Sequence, residues 1–370
     1  MKRKLLIVIW DMALGGIQKR VRDLILEINT NQPDWEIHLL LKFEEPAYFL
    51  DSLADCKNLH LHFYKKNREQ LGRSLPLAWI IQPFFSIKPD VCLTFLEHLS
   101  ISMVIVKHLM RWRKDSRLVL NEGILTSTYL GLNKDILGWK PYAFLIKIFY
   151  RFSNLIIVPT KEVKEDLVFS FKVPSNKIKV ISNWTLFPPK SADKKRYDLI
   201  YVTRYEREKN PKLFLEIIDN LKKKLPNIKG CLVGEGSLKK ELVQFVKDHK
   251  LDKNVKILDF QANTQAFLLD SKIFVITSKN EGMPNVVLEA GISSLPTVST
   301  NFRGSNEVII QGKTGYILKD GSVTEFTHYC FELLKNDVKR KKMGQAAQRH
   351  IVQNFSYNTQ QKFIKYLLKV

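Results

Sequence analysis

Short apolar runs alternate along this chain with longer segments whose apolar residues recur at helical spacing. Leu5–Trp10 is an apolar run between charged flanks, followed by Gly15-Gly16 and by Val21, Leu24, Ile25 and Ile28 at the spacing of one helix face. Strand, glycine loop and helix in that order start an open α/β unit. Further strands are predicted at Ile37–Leu41, Leu59–Phe63, Asp90–Phe95, Arg117–Asn121, Leu155–Pro159 and Val180-Ile181, with a helix between the fourth and fifth and another over Lys161–Phe169. Pro188-Pro189 and the polar run Lys190–Lys195 read as a linker. A second series then begins, with strands at Asp198–Val202, Gly230–Val233, Val255–Leu258, Ile273–Thr277, Thr297–Ser299 and Tyr316–Leu318. Its helices are predicted at Pro211–Leu221, from Leu238, at Thr264–Leu269, from Val286, and over Glu325–Leu334 and Val338–Ile351. The pattern predicts two doubly wound α/β domains. Ligands then belong at the carboxyl ends of the strands, in a cleft between the domains.

A length of 370 residues agrees with two domains, and 45% hydrophobic with 26% charged residues excludes global disorder. The four cysteines (Cys56, Cys92, Cys231, Cys330) lie far apart, in neither a zinc spacing nor a disulfide framework, so a reducing compartment is expected. Charge alters the picture more. Fifty-nine basic against 37 acidic side chains give +22, spread over both halves. Such an excess suits an anionic ligand, an anionic membrane surface or nucleic acid, and equally an alkaline surface without a partner. The sequence has no zinc finger, aromatic platform or basic tail to support nucleic acid. Asp11 cuts the first apolar run too short for a signal peptide, and no apolar stretch has the length of a span. A membrane would be met from one side.

Four features can carry chemistry. Gly15-Gly16 can bring backbone N–H groups to a phosphate or sugar, or merely turn the chain; it is not a dinucleotide fingerprint. Arg204 and Lys209 follow the first strand of the second series, where two cations can grip a diphosphate, although Glu206, Arg207 and Glu208 between them also read as a solvated charge run. Gly234 and Gly236 follow the next strand, as a place for a ligand to approach the backbone or as a tight turn. The strongest signal is Glu281-Gly-Met-Pro-Asn-Val-Val-Leu-Glu289: a carboxylate after a strand, a shaped turn, and a second carboxylate one turn into a helix. N–H groups at such a helix start hold phosphate oxygens, and paired carboxylates accept from sugar hydroxyls. Glu289 can instead only cap or pack.

These pieces resemble glycosyltransferase family 4, retaining sugar transferases of two Rossmann-like domains in the GT-B arrangement. The resemblance rests on Val202–Asn210 (VTRYEREKN), Leu232–Leu238 (LVGEGSL), Val275–Gly291 (VITSKNEGMPNVVLEAG), Gly304–Glu307 and Lys313–Gly315, in that order. Gly15-Gly16 with Lys19 and Arg20 is similar to the family's opening loop, and the last helix after Phe355-Ser356-Tyr357 to the segment that returns to the first domain. The resemblance implies an acceptor domain over 1–187, joined by a helix at about 355–370, and a donor domain over 188–354. It implies that Arg204 and Lys209 grip the donor diphosphate, Glu281 orients the transferred sugar and Glu289 holds the ribose. Gly282, Met283, Pro284, Asn285 and Val286 would meet phosphates or sugar mainly through backbone groups, with Gly234 nearby. It also implies catalysis without a metal or a covalent intermediate, with a nucleotide-diphosphate sugar, UDP-linked in preference to GDP-linked, as co-substrate. Two positions depart from the pattern: Thr203 stands beside Arg204 where many members have glycine, and Ile181-Ser-Asn183-Trp-Thr keeps only the asparagine of the usual Asn-Gly/Ala-Val/Ile-Asp motif.

The acceptor side is less explicit. His98, near a strand exit, is the candidate for the family's mid-domain histidine, or a helix-start or buried histidine. Arg117–Thr126 (RLVLNEGILT) resembles a subgroup acting on polyprenyl-diphosphate-linked sugars, where Glu122 would contact the acceptor or act as a local base, or else sit in a turn before Gly123. Val104–Lys114 and Trp139–Phe152 mix aromatic, aliphatic and basic residues, as an interfacial patch does and as core helices with snorkelling cations also do. The expectation is a transferase on the cytoplasmic face of a bacterial inner membrane, with a lipid-linked saccharide or lipopolysaccharide precursor as acceptor and no obligate protein partner. The alternatives are a soluble acceptor, or a nucleotide-sugar-binding protein without turnover.

Overall fold

A computed structural model describes residues 2–13, 15–44, 48–65, 77–109, 116–132, 139–186, 195–261 and 263–369. The linker expected at Pro188–Lys195 therefore lies outside the described residues, apart from Lys195. Two compact units divide the chain: Met1–Ser182 with Gln360–Val370, and Asn183–Thr359.

The first unit is built from β1 (Arg3–Ile9), α1 (Gly16–Asn31), β2 (Trp35–Phe43), β3 (Leu59–Lys65), α2 (Ala78–Ile87), β4 (Val91–Phe95), α3 (Glu97–Leu109), β5 (Arg117–Asn121), α4 (Thr126–Leu132), α5 (Trp139–Phe149), β6 (Leu155–Val158), α6 (Lys161–Phe171) and β7 (Ile178–Val180). Its seven strands are parallel, in the order β3-β2-β1-β4-β5-β6-β7. Leu5 of β1 stands opposite Ile37 on one side and Val91 on the other. Helices cover both faces, so β1 and β6 are apolar throughout their buried lengths, and β4 apart from Thr94, rather than alternating. Sequence patterning gives α2 no helical signature. It is apolar nearly all round and carries Pro83 in its interior, and it docks on β1, β2 and α3 with Trp79, Ile80 and Phe84 buried.

The second unit comprises β8 (Tyr197–Val202), α7 (Pro211–Lys222), β9 (Gly230–Val233), α8 (Lys239–Asp248), β10 (Val255–Leu258), α9 (Thr264–Leu269), β11 (Ser271–Ile276), α10 (Asn285–Ile292), β12 (Thr297–Thr300), α11 (Ser305–Val308), β13 (Gly315–Leu318), α12 (Val323–Lys335) and α13 (Asp337–Asn354). Its parallel sheet has the order β10-β9-β8-β11-β12-β13. Local chemistry sets the helix starts. Pro211 opens α7, and Ser322 caps α12 by accepting from the Glu325 N–H at 3.1 Å, while Glu325 accepts from the N–H groups of Lys319, Asp320 and Gly321. The final helix, α14 (Tyr357–Leu367), clusters with the first unit from Gln360 onward. Gln360 donates to the Asp23 carbonyl of α1 at 3.0 Å, and Arg117 donates to the Tyr366 carbonyl at 3.0 Å.

In both sheets the strand order reverses once: at β1/β4 in the first unit, at β8/β11 in the second. There the crossovers leave to opposite sides, and the strand exits enclose a crevice.

Helices α10 and α13 approach closely where Gly344 faces the end of α10. A Cβ at Gly344 would lie 2.1 Å from the Ser294 carbonyl oxygen, which is backbone and cannot rotate away. Gly344→Ala should lower the stability of the second unit by about 1–3 kcal/mol, read as a lower melting temperature; an unchanged melting curve would mean that the two helices separate without cost.

Candidate active site at the strand exits

In the second unit the crevice is formed by the chain leaving β8 and the chain leaving β11. The first carries Arg204 and Lys209, the second Glu281. The fold brings Lys209 and Glu281 into an ion pair, Nζ to Oε1 at 2.6 Å, with both side chains largely buried. Few waters compete there, so the pair is more strongly coupled than a surface ion pair. An ammonium carries three donors, so Lys209 can serve the carboxylate and phosphate oxygens together. Arg204 is placed differently. Its side chain is 64% exposed and pairs with Glu208 one turn on, at 3.2 Å. The interposed acidic residues have jobs of their own: Glu206 accepts from the Ser237 N–H at 3.0 Å and from its hydroxyl at 2.7 Å, tying this loop to the one after β9.

The glycines of that neighbouring loop answer to backbone crowding. Gly234 (φ 151°) has the Thr203 carbonyl oxygen 1.8 Å from where a Cβ would stand, and Gly236 (φ 155°) has Tyr205 backbone atoms within 2.7 Å. Thr203 and Tyr205 donate to the Val233 and Glu235 carbonyls, so the two loops run side by side. Beyond β11, Glu281, Gly282, Met283 and Pro284 are buried, and Asn285 and Val286 open α10 half-buried. Asn183 holds this turn: its Nδ2 donates to the Met283 carbonyl at 2.8 Å, and its backbone N–H to the Met283 sulfur at 3.3 Å. Glu289, one turn into α10, is buried and accepts from the Thr264 hydroxyl at 3.4 Å.

Sequence reading missed a set of hydroxyls behind Lys209. Tyr201 donates to the Lys209 carbonyl at 2.9 Å and meets Ser278 Oγ at 2.9 Å; Thr277 Oγ1 donates to the Asn210 carbonyl at 2.8 Å. A tyrosine inside a strand and a threonine at its end give no signal beyond ordinary β propensity.

In the first unit, Gly15 caps α1 with an extended φ of 177°, a conformation open to any residue, and its carbonyl accepts from the Lys19 N–H at 3.0 Å. Gly16 is the first residue of α1. Arg20 is buried, donates to Asn121 Oδ1, and lies over the Phe95 and Phe363 rings, each centroid 5.6 Å away. Burial brings its pKa down to about 10, so it remains a cation at neutral pH. His98 stands at the start of α3, where its Nε2 accepts from the Trp10 indole N–H. Burial, helped by Lys42, pushes its pKa down to about 4, so the ring is neutral with that lone pair engaged. Glu122 follows β5 and is fully buried. Its Oε1 accepts from Tyr150 Oη at 2.6 Å and from Ser100 Oγ at 3.0 Å. Burial first, and the nearby Glu97 second, push it up to about 8; Glu97 is itself raised by burial. At neutral pH Glu122 is a carboxylic acid inside the unit, packed against Tyr150, and in that protonated form it does not act as a base.

Comparison with known proteins bears on this geometry. A family model described as glycosyl transferases group 1 matches residues 182–350, the stretch holding Lys209, Glu281 and Glu289. The chain is 26% identical over 256 residues to an uncharacterized glycosyltransferase of Methanocaldococcus jannaschii, covering 65% of this chain but only 62% of that protein's length, just under two thirds. Over 349 residues, 92% of each chain, it is 24% identical to the Campylobacter jejuni N-acetylgalactosamine-N,N'-diacetylbacillosaminyl-diphospho-undecaprenol 4-alpha-N-acetylgalactosaminyltransferase. In fold it is similar to Anabaena HepE, solved with UDP and glucose, at a TM-score of 0.80 and 17% identity over the whole of both chains. The chain has the GT-B fold, two Rossmann-like units of parallel sheet and helix, and over residues 182–350 it matches the glycosyl transferases group 1 model. The likeness to HepE is one of fold, so the roles of residues in this chain rest on its own geometry.

Glu122 yields a pH test. Folded, it loses its proton near pH 8; unfolded, near the ordinary carboxylate value of about 4.3. Between those values the folded state holds a proton that the unfolded state lacks, so this group's contribution falls as pH rises across the window. Glu122→Gln cannot ionise. Its melting temperature should match wild type near pH 5 and exceed it increasingly toward pH 9; parallel curves would show that Glu122 does not titrate in this range.

Proposed function

We propose that this protein is a glycosyltransferase that moves a sugar, with retention at the anomeric carbon, from a nucleotide-diphosphate donor to a lipid-linked saccharide during bacterial surface-polysaccharide synthesis. The observation that carries the reading is the buried Lys209–Glu281 pair at the β8/β11 reversal, beside the opening of α10. As the sugar–phosphate bond breaks, charge develops on the leaving diphosphate, and Lys209, with the exposed Arg204 reaching in, takes it up. N–H groups of the first turn of α10 add positive potential at the same place. Glu281, aligned by Lys209, accepts from hydroxyls of the transferred sugar, and Glu289 from those of the ribose. The acceptor hydroxyl then attacks from the face the diphosphate leaves, and the departing phosphate oxygen takes its proton. Catalysis in this scheme draws on positioning and fixed charge, with no metal and no covalent intermediate. Support for the donor comes from HepE, solved with UDP and glucose, and for a polyprenyl-linked acceptor from the name of the Campylobacter relative.

The first unit supplies a surface for such an acceptor. Phe144 of α5, Phe152 just after it and Phe169 of α6 are 59, 47 and 69% exposed. Exposed Lys147 and Arg151 lie close in the chain to the first two, and exposed Lys172 follows the third by three residues, with exposed Glu165 four residues before it. Helix α5 packs on α6 and α3 with Ile146 buried and Phe149 against the core, while Phe144 and Lys147 are exposed. Among the described residues no helix is long and apolar enough to cross a membrane. We place this face on the cytoplasmic side of the inner membrane. The Val104–Lys114 segment is described only to Leu109, and its Val104 and Val106 are buried.

Two measurements test the reading. In a screen of UDP- and GDP-sugars with bacterial lipid extract, nucleoside-diphosphate release should depend on lipid and withstand chelator. Lys209→Ala and Glu281→Ala should each lower kcat/KM by roughly 100-fold or more. Turnover at wild-type level in either variant removes that residue from the mechanism, and equal release without lipid points to a soluble acceptor. In flotation, wild type should rise with phosphatidylglycerol vesicles and the Phe144→Ser/Phe152→Ser/Phe169→Ser variant should stay at the bottom; equal flotation of both would move the membrane face elsewhere.

A further inference from the structure

The hydroxyls behind Lys209 form a connected set. Asn210, the residue after Lys209, lies in the left-handed region at φ 48° and ψ 50°, immediately before Pro211. Few residues but glycine adopt that conformation without cost, and a residue preceding proline is further restricted. Asparagine tolerates it better than most, yet something must hold it there. Thr277 Oγ1, at the exit of β11, donates to the Asn210 carbonyl at 2.8 Å and lies 3.2 Å from that of Lys209. Tyr201, fully buried in β8, donates to the Lys209 carbonyl at 2.9 Å, with Ser278 Oγ 2.9 Å from the same phenol oxygen. Backbone completes the stitch, the Lys279 N–H donating to the Glu208 carbonyl at 2.8 Å. Each peptide carbonyl that brackets the Lys209 turn is thus held by a side-chain hydroxyl from the strands that form the crevice. The segment that supplies Thr277 and Ser278 continues, within a few residues, to Glu281.

We propose that Tyr201 and Thr277 are positioning residues of the transferase: by fixing the Lys209 and Asn210 carbonyls they aim the Lys209 ammonium at Glu281 and at the donor diphosphate. This rests on the reading that Lys209 meets that diphosphate. Burial pushes the Tyr201 hydroxyl up to about 12, so it stays a donor across the working pH range. Among the described residues, the Asn210 carbonyl at 2.8 Å is the nearer of the two backbone acceptors of the Thr277 hydroxyl.

The test is binding of UDP and GDP, and of uridine and guanosine, by calorimetry to wild type, Lys209→Ala, Tyr201→Phe, Thr277→Val and Thr277→Ser. Tyr201→Phe and Thr277→Val delete a hydroxyl at nearly constant shape. Each should weaken the preferred diphosphate on the order of tenfold, the loss of one positioned charge-assisted contact, while the matching nucleoside changes less than about twofold. Thr277→Ser should restore the diphosphate, and Lys209→Ala should weaken it at least as much as the hydroxyl variants. A loss shared equally by nucleoside and diphosphate, or one that Thr277→Ser fails to rescue, would show general structural damage and overturn the proposal. Unchanged diphosphate binding in Tyr201→Phe and Thr277→Val, with Lys209→Ala weakened, would overturn it and leave the donor reading standing. Wild-type diphosphate binding by Lys209→Ala would overturn both.

Discussion

Parallel pairing of β8 with β11 is the constraint on which the second unit's chemistry depends. Ile273 stands opposite Leu199, and Phe274 opposite Ile200, inside a sheet covered on both faces. Slipping the register would bury polar groups and expose apolar ones, so the core holds it in place. Because the strand order reverses at this pair, both chain exits come together at one end of the sheet. Lys209 and Glu281, 72 residues apart, meet at 2.6 Å as a consequence of how apolar strands stack. The charged pair is a guest of the hydrophobic core.

A layered arrangement follows. Strand exits set where the two loops start; Tyr201, Thr277 and Ser278 set how the first loop turns; Asn183 sets how the second meets α10. Each layer is hydrogen-bonded to backbone carbonyls rather than to the reacting side chains. Under the proposed function, carbonyls held in this way leave the Lys209 ammonium and Glu281 carboxylate able to exchange partners when a donor enters, while the backbone beneath them keeps its place.

The first unit solves a different problem at its own reversal. Arg20, Glu97, Glu122 and His98 gather around the exits of β1, β4 and β5, and burial disfavours the charged form of each. Arg20 nonetheless stays charged, covered by two aromatic rings and bonded to Asn121. Burial and the nearby Glu97 keep Glu122 an acid, against the Tyr150 and Ser100 hydroxyls that donate to it.

Apolar periodicity by itself determined the α/β class, the two series and all thirteen strands to within a residue or two, because a strand buried on both faces must be apolar along its length. Glycine, proline and charge after the predicted strand ends marked Arg204, Lys209 and Glu281 as candidates, and the motif's spacing marked Glu289. Periodicity passed over α2, whose apolar residues surround the helix and show no period, and whose Pro83 reads as a break. Tertiary structure alone decided that Lys209 pairs with Glu281 while Arg204 faces solvent. It decided too that Gly234 and Gly236 serve a backbone crossing, that His98 is engaged by Trp10, and that Glu122 is a buried acid. Those outcomes depend on distance and burial between residues far apart in the chain. A strand's own residues specify which face is buried, but only the assembled sheet specifies which neighbour lies across from it.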